Sequence, residues 1–335
     1  MQWTKASFYQ PQKHDRLLCR LCPHACVFTT DKAVGLCQVR RRHGQCLETA
    51  TFATAVQNLD AIERKPLYHY KPGAKVLTLA APGCQLRCRY CQNYRLSQFG
   101  RLPEIGWQAK PVDIQSLIAT ALNQQAMIGF SYSEPSLAAE LTLALAQADQ
   151  RLEIIWKTNG FLTAAARQQL VPCLAAINLD LKTINQQQHV ALTGAPVKPI
   201  LANLRAFYQA GIWLEISTPI IPEINADTDS LQQIAATIYA ISPDIPWHLL
   251  RFTPEFQLRH LPPTSPALLN QAVQMAHQVG LKYVYVERAL GPSGRNTGCP
   301  QCHRELISRT IWGIQHNRLN QGHCPDCGLK IPGRW

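Results

Sequence analysis

The sequence predicts an α/β fold built on a parallel sheet, with a small cysteine-rich module at each end. Three observations predict it. Between residues 74 and 290, short β-type runs alternate with amphipathic helical stretches, and repeated β-α units read as a parallel sheet. The 13 cysteines fall mostly in C-x2-C and C-x3-C pairs before, within and after that region. A chain of 335 residues, 46% hydrophobic, can bury one large core and still carry small satellites.

Residues 1–72 form the first unit, a cysteine-rich module and connector. It carries Cys19-Arg20-Leu21-Cys22-Pro23-His24-Ala25-Cys26, then Cys37 after a turn at Gly35. Four thiolates this close suit tetrahedral zinc or an iron–sulfur cluster. Knuckles closed by a more distant pair lean toward zinc, but the spacing leaves both open. Reduced core cysteines without metal are the plain alternative. Cys46 reads as a fifth ligand or a bystander. Residues 47–72 look like a connector with aromatic anchors, and Pro66 and Pro72 argue against a long helix there.

Residues 73–290 form the main domain. Strands are expected at 75–81, 127–132, 153–157, 176–181, 213–218, 246–252 and 282–287. Helices are expected at 112–125, 136–149, 163–171, 200–210, 227–241 and 265–279. In the first of these, Ile114, Leu117, Ile118, Ala121 and Leu122 recur at helical spacing. In barrel-like α/β folds the chemistry sits at the C-terminal strand ends, and each candidate site residue falls there. After the first strand comes Gly83-Cys84-Gln85-Leu86-Arg87-Cys88-Arg89-Tyr90-Cys91. These three thiolates can hold three irons of a cubane [4Fe–4S] cluster. The next cysteine is Cys173, so one iron stays open to a cofactor or substrate. Structural zinc takes four protein ligands and fits three crowded cysteines poorly.

The second strand ends at Glu134-Pro135. Glu134 suits an ammonium group, or else caps the following helix, whose dipole favours a carboxylate. The third ends at Lys157-Thr158-Asn159-Gly160, where Asn159 offers donor and acceptor for ribose hydroxyls or a carboxylate. Strand alternation argues that Lys157 turns away from the pocket; facing inward, its ammonium would lie beside Asp180. Asp180 and Lys182 close the fourth strand with opposite charges that burial penalises unless they are paired or used. On the sixth, His248 and Arg251 are candidate contacts to cofactor or substrate, the histidine equally a structural residue.

Residues 291–335 change character after the turn-rich Gly291-Pro292-Ser293-Gly294. Cys299-Pro300-Gln301-Cys302 and Cys324-Pro325-Asp326-Cys327 are close to a zinc-ribbon signature. Zinc is the expected metal, with rubredoxin-type iron as the minor alternative.

The formal charge is +12, but no run of five or more Lys/Arg gathers it into a patch. Nucleic acid is therefore not an expected partner. There is no signal-type h-region and no apolar run of membrane length, so no membrane association and a soluble, cytoplasmic protein are expected. Paired cysteines in a reducing compartment read as metal sites rather than disulfides.

The C-x3-C-x2-C run, with the aromatic Tyr90 just before Cys91, resembles the radical S-adenosylmethionine (SAM) enzymes. The resemblance implies an open, partial (β/α)6 barrel and a [4Fe–4S] cluster on Cys84, Cys88 and Cys91. It also implies SAM bound near Tyr90, Glu134, Asn159, Asp180, Lys182, His248 and Arg251, and a flavodoxin- or ferredoxin-type electron donor. Thr158-Asn159-Gly160 and Asp180-Leu181-Lys182 are similar to motifs of glycyl-radical activating enzymes. A closer similarity is with the radical SAM enzymes of the AmmeMemoRadiSam system. It rests on Leu21-Cys22-Pro23-His24-Ala25-Cys26, Lys65-Pro66-Leu67-Tyr68-His69, Gly83 through Gln98, Trp247-His248 with Arg251-Phe252, and Cys324-Pro325 to the terminal Ile331-Pro332-Gly333-Arg334-Trp335. That similarity implies anaerobic radical chemistry in company with Memo-like and AMMECR-type proteins.

Two departures count against a plain activase. Lys157 stands where activases carry an acid, and the extra cysteines precede and trail the radical motif instead of following it closely. The expected function is reductive cleavage of SAM and hydrogen abstraction from an unidentified substrate. The rivals are an activase acting on a partner protein and a zinc-containing nucleic-acid-binding or scaffold protein.

Overall fold

The computed structural model describes all 335 residues. At its centre lies an eight-stranded sheet of β1 (Val56–Ala61), β2 (Lys75–Ala80), β3 (Ala126–Phe130), β4 (Ile154–Thr158), β5 (Ala176–Asp180), β6 (Trp213–Ile220), β7 (Trp247–Arg251) and β8 (Val284–Tyr285). Spatial order follows chain order from β1 to β8. Strands β2 to β8 run parallel, and β1 pairs antiparallel with β2. Each parallel step is bridged by helix, the arrangement that the alternating sequence pattern demands.

The helices that bridge the parallel strands are α1 (Ile114–Asn123), α2 (Ala139–Ala148), α3 (Ala164–Leu170), α4 (Gln186–Thr193), α5 (Lys198–Gln209), α6 (Thr228–Tyr239) and α7 (Pro266–Val279). Their starts follow local chemistry. Asp113, Thr163, Asn185, Asp227 and Ser265 each accept a backbone N–H of the first turn through the side chain, filling donors that the helix leaves unpaired.

Strand alternation gives the sheet two unlike faces. Leu77, Leu79, Ile128, Ile154, Trp156, Ile177, Leu179, Leu214 and Ile216 join Leu117, Leu145, Leu204, Phe207, Ile234 and Leu269 of the helices in one core. The opposite face is apolar toward the N-terminal strand ends, where Val76, Met127, Ile155 and Ala176 cluster, and polar toward the C-terminal ends. In register across it stand Lys157, Asn178 and Glu215, and in the next row Asp180, Ser217, His248 and Tyr285.

Two features depart from the sequence reading. The expected connector at 47–72 contains β1, so part of it belongs to the main sheet. Helix α4 was not anticipated, because Gln186-Gln187-Gln188 carries no apolar periodicity. No helix is long and apolar enough to cross a membrane.

The N-terminal module is two small antiparallel sheets. Its Leu17, Leu21, Phe28, Val39 and Leu47 sit in the same core as the main domain. One ion pair spans the junction. Arg40, 1% exposed, donates through Nη2 to Glu140 Oε1 of α2 at 2.9 Å. The same carboxylate oxygen accepts the Ser7 N–H at 2.7 Å. Breaking a buried pair strands a charge. Glu140→Ala should therefore cost about 3–5 kcal/mol in anaerobic denaturant unfolding; a midpoint unchanged from wild type would show that the pair does not hold the junction.

The C-terminal module packs Leu306, Ile307 and Ile331 against Tyr68, Tyr283 and Tyr285. Buried Arg309 fixes it: its guanidinium lies 4.3 Å over the Tyr68 ring and donates to the Tyr68 carbonyl at 2.8 Å and to Thr297 Oγ1 at 2.7 Å.

Candidate active site

The loop after β2 brings Cys84, Cys88 and Cys91 to one wall of a cleft of about 410 Å³ at the C-terminal ends of the parallel strands. Gly83 starts it with φ +103°, and a Cβ there would stand 2.7 Å from Val39 and 3.0 Å from the Cys37 carbonyl. Only glycine meets both demands. Backbone N–H groups of Arg87 and Arg89 donate to the carbonyls of Thr193 and Leu192 at the end of α4, at 2.7 and 3.0 Å. From the other side the Arg101 guanidinium donates to the carbonyls of Cys84 at 2.6 Å, Leu36 at 2.8 Å and Leu86 at 2.9 Å. Ser97 Oγ lies 3.1 Å from Cys91 Sγ.

Tyr90, Glu134, Asn159, Asp180, Lys182 and Arg251 line the same cleft. Burial pushes the Tyr90 hydroxyl upward, and the neighbouring Cys88 adds to it. Glu134 lines the cleft while also bonding within the protein. Its carboxylate accepts Thr158 Oγ1 at 2.7 Å, the Asn159 N–H at 2.9 Å and the Ser136 N–H at 3.0 Å. The last of these bonds caps the helical turn Pro135–Ala138. Glu134 clamps the ends of β3 and β4 together.

Asn159 reaches the cluster loop directly, its Nδ2 lying 3.7 Å from Cys84 Sγ and its Oδ1 accepting the Phe161 N–H at 2.9 Å. The turn needs Gly160 at φ +69°, where a Cβ would collide with Leu179 at 2.8 Å.

Lys157 corrects an expectation. It faces into the cleft, because Lys157 registers with Asn178 on the polar face. Its Nζ donates to Asp180 Oδ1 and Asn178 Oδ1, both at 2.9 Å, while Lys182 Nζ donates to Asp180 Oδ2 at 3.2 Å. Burial alone would raise the Asp180 carboxyl, but Lys157 and Lys182 on either side outweigh it and hold it at about 2. Burial works against the Lys182 ammonium, yet Asp180 and the neighbouring Cys88 keep its pKa above the ordinary value.

His248 also corrects an expectation. It does not line the cleft. Its ring is 0% exposed, with Nε2 2.6 Å from Glu215 Oε2 and Tyr68 and Tyr285 at ring centroid distances of 4.7 and 5.3 Å. Glu215 also takes the N–H groups of Tyr68 and His69 and the Trp213 indole, at 2.9, 2.7 and 3.0 Å. A carboxylate buried this deeply must be matched by donors, and His248 is one of them. Burial holds its imidazole below the ordinary range despite that partner.

Sequence reasoning missed Arg64, Gln98, Ser131, Tyr132, Glu287 and Arg288 on the cleft wall. They lie in loops and in an edge strand's approach, where no periodicity marks a residue as facing inward.

In the C-terminal module Cys299, Cys302, Cys324 and Cys327 are the cysteine group whose Sγ atoms all lie within 4.8 Å of one another. The pairs Cys299–Cys327 and Cys302–Cys324 are 3.6 Å apart. Tetrahedral ligation at a metal–sulfur distance of about 2.3 Å places sulfurs about 3.8 Å apart, so four sulfurs at this spacing can share one ion. Cys173 is on the short helix Val171–Cys173 and lines no part of the cleft. Cys46 bonds its own hairpin, Sγ to the His43 carbonyl at 3.1 Å.

Residues 79–234 match the family described as the Radical SAM superfamily. A protein of Methanocaldococcus jannaschii described as uncharacterized is 29% identical over 335 residues, covering 98% of both chains. The benzylsuccinate synthase activating enzyme of Thauera aromatica is 42% identical over 55 residues, 16% of this chain and 17% of that enzyme. SuiB of Streptococcus suis, in its structure bound to S-adenosylmethionine, aligns with a TM-score of 0.50 at 12% identity, over 68% of this chain and 53% of its own. That last likeness is one of fold.

The Asp180 triad has a measurable signature. Its folded pKa lies below the ordinary carboxylate value of about 3.9. The stabilisation is therefore complete above that value and is lost as pH falls toward 2. Lys157→Met should raise the Asp180 pKa, followed by carbon-13 NMR of labelled aspartate. An Asp180 that still titrates at about 2 would show that Lys157 does not set it.

Proposed function

We propose that the protein is a radical SAM enzyme whose [4Fe–4S] cluster is held by Cys84, Cys88 and Cys91 and whose cofactor occupies the adjoining cleft. One observation carries this reading: three thiols of a single loop, with no fourth beside them, open into a ligand-sized cleft at the C-terminal ends of parallel strands. The donor set fits. The three sulfurs are not drawn together as at a single ion, which suits a cluster in which each thiolate takes its own iron. Acidic and basic groups, Asp180 and Glu287 with Lys157, Lys182 and Arg251, line one cavity, which suits a zwitterionic ligand.

When bound, the cluster and SAM supply one-electron cleavage of the sulfonium to a 5′-deoxyadenosyl radical. The chain's own part is positioning and exclusion of water. Asn159 Nδ2 donates toward Cys84 sulfur and steadies its charge. Lys182 presents a buried ammonium near Cys88 and suits the carboxylate end of the ligand. Arg251 is steadied by the Thr264 carbonyl at 3.2 Å and is a second cation at the rim. Lys157 places an ammonium against Asp180 where an acid-rich activase site would gather a cation.

We read the sequential open sheet as the wall of a partial (β/α)6 barrel, the C-terminal four-cysteine module as a zinc ribbon, and the whole as an AmmeMemoRadiSam system enzyme. On that reading its partners are a flavodoxin- or ferredoxin-type donor and Memo-like and AMMECR-type proteins, and it works in the cytoplasm. The reaction is hydrogen abstraction from a substrate not yet identified. An activase that installs a glycyl radical on a partner is the second reading, favoured by the local identity with the benzylsuccinate synthase activating enzyme. A glycyl-radical resonance on a co-purified partner would select it.

Substituting Cys84, Cys88 and Cys91 together by Ala should remove about four irons per chain and abolish SAM cleavage to 5′-deoxyadenosine. Retention of all iron in that variant would sink the assignment. Cys324→Ser should lose about one zinc per chain and loosen the C-terminal tail to proteolysis, while iron content stays. Unchanged zinc by mass spectrometry would refute the zinc site.

A further inference from the structure

The N-terminal cysteines are not absorbed by this function. Cys19, Cys22, Cys26 and Cys37 line one small pocket, walled by Leu21, Phe28 and Leu137. All four sit in mutual electrostatic reach, since Cys37 feels Cys19 and Cys26, and Cys22 feels Cys37, Cys19 and Cys26. Yet no three of them approach within 4.8 Å of one another, as the C-terminal four do. A single tetrahedral ion would draw its sulfurs to about 3.8 Å. Cys84, Cys88 and Cys91, each of which would ligate a separate iron, likewise do not all lie within that distance.

A second observation is independent of the sulfurs. Arg40 also lines this cavity and is 1% exposed. Nη2 serves Glu140 and the Ser7 carbonyl, but Nε and Nη1 are buried without any acceptor. Orphaned guanidinium donors are costly. A four-thiolate iron–sulfur cluster carries net negative charge, and its sulfurs accept N–H hydrogen bonds that tune its potential. Gly35 makes room beside the cavity: a Cβ there would lie 3.1 Å from the Phe28 ring and 3.7 Å from Cys26 Sγ. The cavity abuts the cleft loop, because His24 Nε2 lies 2.9 Å from the carbonyl of Gln85, the residue after Cys84.

We propose that Cys19, Cys22, Cys26 and Cys37 hold a second [4Fe–4S] cluster, distinct from the one in the cleft, and that Arg40 donates hydrogen bonds to it. The sequence leaned toward zinc at this site; the spacing of the sulfurs and the unpaired donors of Arg40 argue for the cluster.

The test uses the full chain, anaerobically purified and reconstituted with iron and sulfide. Wild type should hold about eight irons and eight sulfides. The variant with Cys84, Cys88 and Cys91 replaced by Ala should keep about four irons and a cluster resonance on dithionite reduction. Adding Cys22→Ser and Cys37→Ser to that variant should remove both. Iron that survives the cleft substitutions upholds this proposal even if wild type holds only that much, in which case the cleft reading fails and this one stands. Two zinc ions per chain, or a cleft variant with neither iron nor resonance although its circular dichroism is native, would overturn it. Arg40→Met combined with Glu140→Met removes the donors without stranding a charge. In the cleft-variant background this pair should lower the midpoint potential of the remaining cluster. An unchanged potential would overturn the role of Arg40.

Discussion

The path of the backbone from Gly83 to Cys91 is the constraint on which the site depends. This stretch is irregular, so its amides and carbonyls cannot satisfy each other in a ladder and must find partners elsewhere. They find them in three places: the last carbonyls of the distant α4, the guanidinium of Arg101, and the Leu96 carbonyl, which takes the Gly83 N–H at 3.0 Å. The carbonyls of Leu192 and Thr193 lack partners within α4 because they end it. A helix terminus is thereby used to fix the loop, and the loop fixes where the thiols point.

The polar face of the sheet is organised by the same need to match buried charge. Near the cleft, Asp180 is flanked by two lysines and lies open to a ligand. Deeper, Glu215 is ringed by His248, Trp213 and two backbone amides, in a region sealed by Tyr68 and Tyr285. Both sites hold a carboxylate in its charged form. The first is reachable from the cleft and the second is sealed off, which separates a ligand-facing role from a packing role more firmly than residue type does.

Glu215 also ties the C-terminal module to the sheet. It accepts the amide of His69, whose Nε2 lies 2.6 Å from Tyr285 OH; that hydroxyl meets Thr297 Oγ1 at 2.8 Å, and Thr297 accepts from Arg309. Burial lowers His69 to about 4, so this chain of hydrogen bonds is built on neutral imidazole. The module is bound by packing and by these bonds together, and its four sulfurs lie close to one another.

The order of strands and helices, the strand-end location of the candidate residues and the grouping of the cysteines were legible in the sequence, since each rests on periodicity or on spacing along the chain. Helix α4 was not, because its polar glutamines hide a segment whose role is to present its terminal carbonyls. Tertiary structure alone decided the rest. Strand register turned Lys157 toward Asp180 and placed His248 against Glu215, and neither pairing can be read from alternation within one strand. Distances between sulfurs that are neighbours only after folding set the two terminal four-cysteine groups apart. Spacing along a chain fixes which ligands can meet. How far apart they stand when they do is set by the packing of the elements that carry them.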